Sequence, residues 1–166
     1  MDINIMLQYI AKYGYIFLAI IVFLEYLNLP GLPAGIIMPA AGILIKSDGL
    51  SFIYTLIISV IAGFLGSFIL YILGYYCGNP ILNKLQNKFP KSKKAIDKTY
   101  TYIDKYGNTG IFIARLIPVA RTLISLIAGA FNMEFIKFTF YSVLGITIWN
   151  FVFIYIGYAF GHLFLK

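Results

Sequence analysis

The chain has 166 residues, of which 61% are hydrophobic and 11% charged, with a mean hydropathy of +0.87. Soluble domains carry about 25% charged residues, so this composition excludes a water-soluble globular domain and describes one compact integral membrane domain, residues 1–166, with no soluble domain beside it. The net charge of +7 sits mostly in one segment tethered between apolar blocks, which excludes nucleic acid as the partner and points to anionic lipid headgroups.

The N-terminus, MDINIMLQYIAKYGY, places Asp2 before its only lysine and offers no small-residue cleavage site, so it does not read as a secretory signal. The first apolar stretch opens at Lys12-Tyr13-Gly14, contains one acid, Glu25, and ends in Ala41-Gly42 after prolines at 30, 33 and 39. Two readings stand: a re-entrant hairpin broken at Pro30 and Pro33, or a full span in which Ile16–Leu29 joins upstream residues. Residues 52–77 then form an apolar block long enough to cross a bilayer core of ~30 Å. Cys77, the single cysteine, excludes an internal disulfide or a cysteine-cluster metal site and reads as a packing residue.

Lys84, Lys88, Lys91, Lys93, Lys94, Lys98 and Lys105 follow, against only Asp97 and Asp104. Short lysine-rich loops stay cytoplasmic, so residues 79–106 are expected there. Asn79-Pro80 starts one amphipathic helix that Pro90 ends. Ser92 caps a second that Gly107 ends. Both are expected to lie in the membrane interface.

The second half opens at Lys105-Tyr106-Gly107 and ends its first stretch in Ala128-Gly129. Pro118 divides that stretch into Asn108–Ile117 and Thr122–Phe131. Each piece is about 15 Å long as helix, too short to span alone. Two half-helices meeting at a break describe a re-entrant hairpin, with Pro118 and Gly129 as its breaks. The alternative is a bundle of ordinary proline-kinked helices. Residues 136–160 form a second full span.

The two spans repeat. At a constant offset of 83 positions, Ser59, Val60, Phe68, Gly74, Tyr75 and Gly78 meet Ser142, Val143, Phe151, Gly157, Tyr158 and Gly161. One hairpin plus one span per half makes each half cross once. The halves, 1–78 and 107–166, are then an inverted repeat joined by a basic connector, 79–106. Paired proline- and glycine-interrupted segments of this kind mark a transporter's binding site. The expected fold class is an all-α membrane protein. The close glycines also permit a homodimer.

Arg115 and Arg121 flank Pro118 within GIFIARLIPVARTLISLIAGAF. A charge in hydrocarbon costs about 2.5–3.5 kcal/mol on insertion scales, so two arginines kept there point to an anion or a counter-charge. The other reading is a pair snorkelling to headgroups. If the hairpins pack tip to tip, Glu25 faces both arginines. Its charged form is then favoured, and an anion competing for a guanidinium lets it take a proton. Equally, Glu25 neutralises one arginine and locks the fold. Arginine's planar fork suits phosphate or carboxylate. Asn28, Thr122 and Ser125 either join the ligand shell or satisfy freed backbone carbonyls. Trp149 and Asn150 read as a packing residue and a polar helix contact, or as path lining. No metal-ligand spacing, glycine-rich phosphate loop or cofactor motif is present, and the single histidine, His162, is remote in sequence from Arg115. The chain therefore does not read as an enzyme, and no cofactor is expected.

Across YGYIFLAIIVFLE, PGLPAGIIMPAAG, GIFIARLIPVARTLISLIAGAFNMEFIKFTFYSVLGITIWN and the final GYAFG, the chain resembles the DedA family, also called the SNARE-associated or VTT-domain family. The resemblance covers Tyr13 to Gly161 and rests most on the R-x-I-P-x-x-R element. It implies two re-entrant hairpins and transmembrane helices in pseudo-twofold array. It also implies movement of lipids or lipid-linked phosphates between leaflets, including recycling of undecaprenyl phosphate in the bacterial plasma membrane, with dependence on the proton-motive force. The family's acid falls on Glu25 and its arginines on Arg115 and Arg121. Many members carry an acid after Pro-Gly in the first hairpin. Here the run is Pro33-Ala34-Gly35, so the second acid is absent. The expected function is a flippase for a lipid phosphate. The alternatives are a proton-coupled transporter of a small anionic solute and a scramblase for another headgroup class.

Overall fold

Lipid offers no hydrogen bonds, so a spanning backbone must satisfy its own, and among the described residues every element is a helix. The computed structural model describes residues 3–27, 34–88, 101, 105, 109–117 and 120–160. Its elements are α1 (Ile3–Tyr26), α2 (Ala34–Asp48), α3 (Phe52–Lys88), α4 (Thr109–Arg115), α5 (Ala120–Ala130) and α6 (Phe135–Phe160). Among the described residues two stretches are long and apolar enough to cross a membrane: Phe52–Gly78 of α3 and Phe135–Phe160 of α6. They coincide with the blocks expected at 52–77 and 136–160. Their outer faces leave Ile53, Tyr54, Ile61, Tyr76, Ile136 and Phe140 exposed, the pattern an apolar solvent selects.

α1 is one continuous helix from Ile3 to Tyr26, as in the reading that joins Ile16–Leu29 to upstream residues. Pro39 lies inside α2 and does not interrupt it. Its missing N–H forfeits a single bond, to the carbonyl of Gly35 near the helix start. α2 ends at Gly49, whose φ of +68° is the left-handed conformation that closes many helices. Asn28, Pro30, Pro33 and Pro118 lie outside the described residues.

The first connector helix falls where it was expected. Backbone at Cys77 is non-helical (φ −126°, ψ 16°), so α3 is two helices joined by a kink, the second carrying Asn79-Pro80 and running to Lys88. Pro80 has no N–H for the carbonyl of Tyr76, so the kink falls directly after Tyr76. Cys77 is exposed and does not pack in the interior. The second connector helix falls outside the described residues apart from Thr101 and Lys105, both helical.

α4 and α5 have 7 and 11 residues, about 10 and 16 Å. The chain breaks between them, near where Pro118 predicted. Leu116 and Ile117 donate backbone bonds to Ile113 and Ala114, tightening the end of α4. Gly129 is not a break. It lies within α5, and its missing side chain admits the carbonyl of Tyr71. The turn comes at Asn132 (φ 51°). There the amides of Asn132 and Met133 bond the carbonyls of Gly129 and Ala128 at 2.9 and 3.1 Å, a Schellman closure.

α3 and α6 run antiparallel. Phe52 meets Phe151 and Tyr158 at ring distances of 5.7 and 6.1 Å. At the other end Tyr71 stacks on Phe138 at 4.4 Å. The shorter helices then pack crosswise between halves. α5 lies on α3, with Gly74 against the carbonyl of Leu126 and Gly129 against that of Tyr71. α2 lies on α6, with Gly42 against the carbonyl of Ile154 and Gly157 against that of Pro39. Gly74 and Gly157 are one of the repeat-related glycine pairs. One apolar core gathers Val22, Met38, Ile146 and Ile154, and the other Tyr71, Ile111, Ile124 and Phe138.

Candidate anion site between the helix ends

Arg115 is the last residue of α4 and Arg121 the second of α5. The break between these helices turns both side chains into the interior, where they are 2% and 4% exposed. Snorkelling is therefore not what these arginines do. α1 brings Glu25 (3% exposed) to the same place.

The arginines are held in different ways. Arg121 pairs with Glu25 through Nη2 and donates from Nη1 to the Tyr26 hydroxyl at 3.2 Å. Its guanidinium also lies over the rings of Tyr26 and Trp149, at 4.9 and 5.0 Å from their centres. Among the described residues Arg115 has only neutral acceptors. It donates from Nη1 to Ser67 (3.2 Å) and from Nη2 to Ser125 (3.0 Å) and Ser142 (2.8 Å). Among the described residues no carboxylate forms an ion pair with it. Glu25 thus meets one arginine where the tip-to-tip arrangement expected two. Gly145 makes room for Arg115: a Cβ there would lie 3.0 Å from both Cβ and Cδ of the arginine stem.

Behind Arg121 the hydrogen bonds run in one direction. The Tyr26 hydroxyl donates to Asn150 Oδ1 at 3.0 Å, Asn150 Nδ2 to Ser59 at 3.1 Å, and Ser59 to the carbonyl of Leu56 at 2.8 Å. The chain ties α1, α3 and α6 together and leaves the Tyr26 oxygen free to accept from Arg121.

Of the sequence-predicted residues, Glu25, Arg115, Arg121 and Ser125 come together. Gly129 belongs to the α3–α5 crossing. Thr122 lies in α5, but its side chain, like Asn28, lies outside the described residues. Tyr26, Ser67, Ser142, Gly145 and Ser59 were missed, although the repeat pairs Ser59 with Ser142 and, at the same offset, Ser67 with Asn150. Trp149 and Asn150 both join the cluster.

The space bounded by Tyr26, Arg115, Arg121, Gly145, Ile146 and Trp149 is closed, with no room for a water molecule. Two larger cavities, about 460 and 530 Å³, lie outward along α3 and α6 and include none of the three buried charges. With Glu25 ionised, two guanidiniums and one carboxylate leave one buried positive charge.

The VTT domain family model matches residues 32–159. Undecaprenyl phosphate transporter A of Bacillus subtilis is 33% identical, over 96% of this chain and 78% of its own. The protein of the same name from Staphylococcus aureus is 34% identical, over 93% and 77%. Protein DedA of Escherichia coli is 29% identical, over 93% and 73%. No solved structure is a significant match.

Proposed function

This chain belongs to the VTT-domain, or DedA, family of membrane proteins, and we propose that it is a translocase carrying a lipid phosphate, undecaprenyl phosphate first among candidates, between the leaflets of a bacterial cell membrane. The observation that carries the reading is the uncompensated buried charge. Arg115 sits on three serine hydroxyls with no acid of its own among the described residues, while Glu25 is engaged by Arg121. A buried cation without a counter-ion costs several kcal/mol, and an anion arriving in the same place offsets that cost. Arginine forks recognise phosphate oxygens in pairs. The similarity to two proteins named undecaprenyl phosphate transporter A supports a polyprenyl phosphate over other anions.

In this reading the headgroup enters between Arg115 and Arg121 while the tail stays in lipid, with Ser125, Thr122 and Asn28 in the surrounding shell. The chain crosses the membrane several times, with residues 79–106 cytoplasmic. Residues 1–78 and 107–166 form an inverted repeat. The antiparallel α3 and α6 and the reciprocal glycine crossings support that arrangement. Proton coupling through Glu25 and assembly as a homodimer are extensions of the same reading. The protein moves its substrate without changing it.

The test is headgroup accessibility in reconstituted vesicles loaded with labelled undecaprenyl phosphate. Wild type equilibrates the label between leaflets faster than protein-free vesicles. Arg115→Ala and Arg121→Ala, inserted at equal density, do not. Equal exposure with and without the protein sinks the lipid reading. Substrate-induced currents in vesicles free of polyprenyl lipid then favour a small-anion transporter.

A further inference from the structure

Buried polar atoms are nearly always hydrogen-bonded, and each exception calls for a reason. Among the described residues six buried side-chain atoms have no partner: Glu25 Oε2, Thr55 Oγ1, Arg115 Nε, Arg121 Nε, Thr139 Oγ1 and Trp149 Nε1. Two are threonine hydroxyls on long helices, where a rotation reaches a carbonyl of the same helix. The other four all belong to the cluster around the closed seam. Three of them are N–H donors, and the fourth is a carboxylate oxygen that can only accept.

That complement specifies a ligand. Three donors on two arginines and a tryptophan suit an oxyanion. The free carboxylate oxygen repels an oxyanion unless the ligand itself brings a hydrogen to share. The net charge of the three ionised groups is one positive, so a monoanion neutralises it. A singly protonated phosphate monoester meets all three conditions: oxygens for the donors, one negative charge, and one P–O–H for Glu25. A sulfate ester and a phosphate diester are also monoanions with oxygens to offer, but neither has the hydrogen.

We propose that the cluster of Glu25, Arg115, Arg121 and Trp149 selects the hydrogen phosphate monoester group, with the Trp149 indole N–H as a third donor and Glu25 Oε2 as the acceptor that reads the P–O–H. Trp149 is placed for this role: its ring lies 5.0 Å from the Arg121 guanidinium and lines the seam that also touches Arg115. The inference rests on the translocase reading above and narrows its substrate to a chemical class.

The experiment uses the full chain in vesicles carrying labelled undecaprenyl phosphate at about pH 6, near the second ionisation of a phosphate monoester. Translocation is challenged with citronellyl phosphate, citronellyl sulfate, methyl citronellyl phosphate and inorganic phosphate. In wild type citronellyl phosphate competes at a concentration at least about tenfold lower than the sulfate or the methyl diester, the size expected when a buried acceptor is left unpaired. Trp149→Phe keeps the ring over Arg121, removes the N–H, and weakens competition by all three esters about five- to tenfold. Equal competition by ester phosphate and sulfate in wild type overturns the selection while leaving lipid-anion transport standing. Unchanged competition in Trp149→Phe overturns the tryptophan's part. Inorganic phosphate competing as well as the ester keeps the selection but assigns the site to a free ion. Absence of translocation in wild type overturns the function itself.

Discussion

Arg121 and Arg115 carry the same charge and ask different things of the protein. Arg121 is bound to Glu25, so the pair locks α1 and, in the proposed function, also forms part of the anion site. Removing Arg121 alone strands a buried carboxylate, at a cost of about 3–5 kcal/mol, and Arg121→Met is expected to lower the unfolding temperature in detergent markedly. Replacing both partners with Arg121→Met and Glu25→Leu removes the stranded charge and is expected to recover most of that loss. Translocation stays absent in the double variant. A double variant that still transports makes the pair a lock and nothing more. Gly145 tests the Arg115 side. Gly145→Ala brings a methyl to 3.0 Å from the arginine stem, and overpacking of this kind costs about 1–3 kcal/mol. The expected result is a slightly less stable protein that transports poorly, because the fork shifts off its three serines. Unchanged transport with the predicted loss of stability separates the packing role from the site. The charged residues were legible in the sequence because a charge in an apolar run stands out. Ser67 and Ser142 were not, since a serine in an apolar helix is ordinary until a guanidinium is seen against it.

At the scale of elements, helix positions followed from apolar length, and contacts followed from what was missing. The spans at 52–77 and 136–160 were readable because about twenty apolar residues have one use. The connector helix was readable as well, from a proline at the first helical position after Asn79, and non-helical backbone at Cys77 sets it off from the span before it. Gly129 looked like a break because sequence shows a small residue but not the carbonyl resting on it. The crossings give a direct test. A Cβ at Gly129 runs into the Tyr71 backbone and one at Gly157 into that of Pro39, whereas one at Gly35 meets nothing within 4 Å. Backbone cannot swing aside as a side chain does, so Gly129→Ala and Gly157→Ala are each expected to cost 1–3 kcal/mol or more (roughly the upper range of overpacking). Gly35→Ala is expected to be neutral or stabilising by up to about 1 kcal/mol, from helix propensity. Thermal unfolding of the three variants in one detergent reads the contrast. Equal effects at all three positions contradict the crossings.

For the whole molecule the central matter is orientation. The repeat relates Cys77 at the kink of α3 to Phe160 at the end of α6, at the same offset that joins Gly74 to Gly157. Because α3 and α6 are antiparallel, these two related positions lie at opposite ends of the helical assembly. Both side chains are exposed. An impermeant maleimide therefore distinguishes the topologies using the one natural cysteine and one substitution. If the halves are inverted, Cys77 reacts from the face that carries the lysine-rich connector. Phe160→Cys, made together with Cys77→Ser, reacts only from the other face. Labelling of both from one face rules out a spanning, antiparallel α3 and α6. Opposite labelling also bears on transport, because two halves related by a turn in the membrane plane present the same arginine site to either leaflet by exchanging roles. A single buried cation cluster then serves both sides without moving across the bilayer, and the headgroup alone makes the journey.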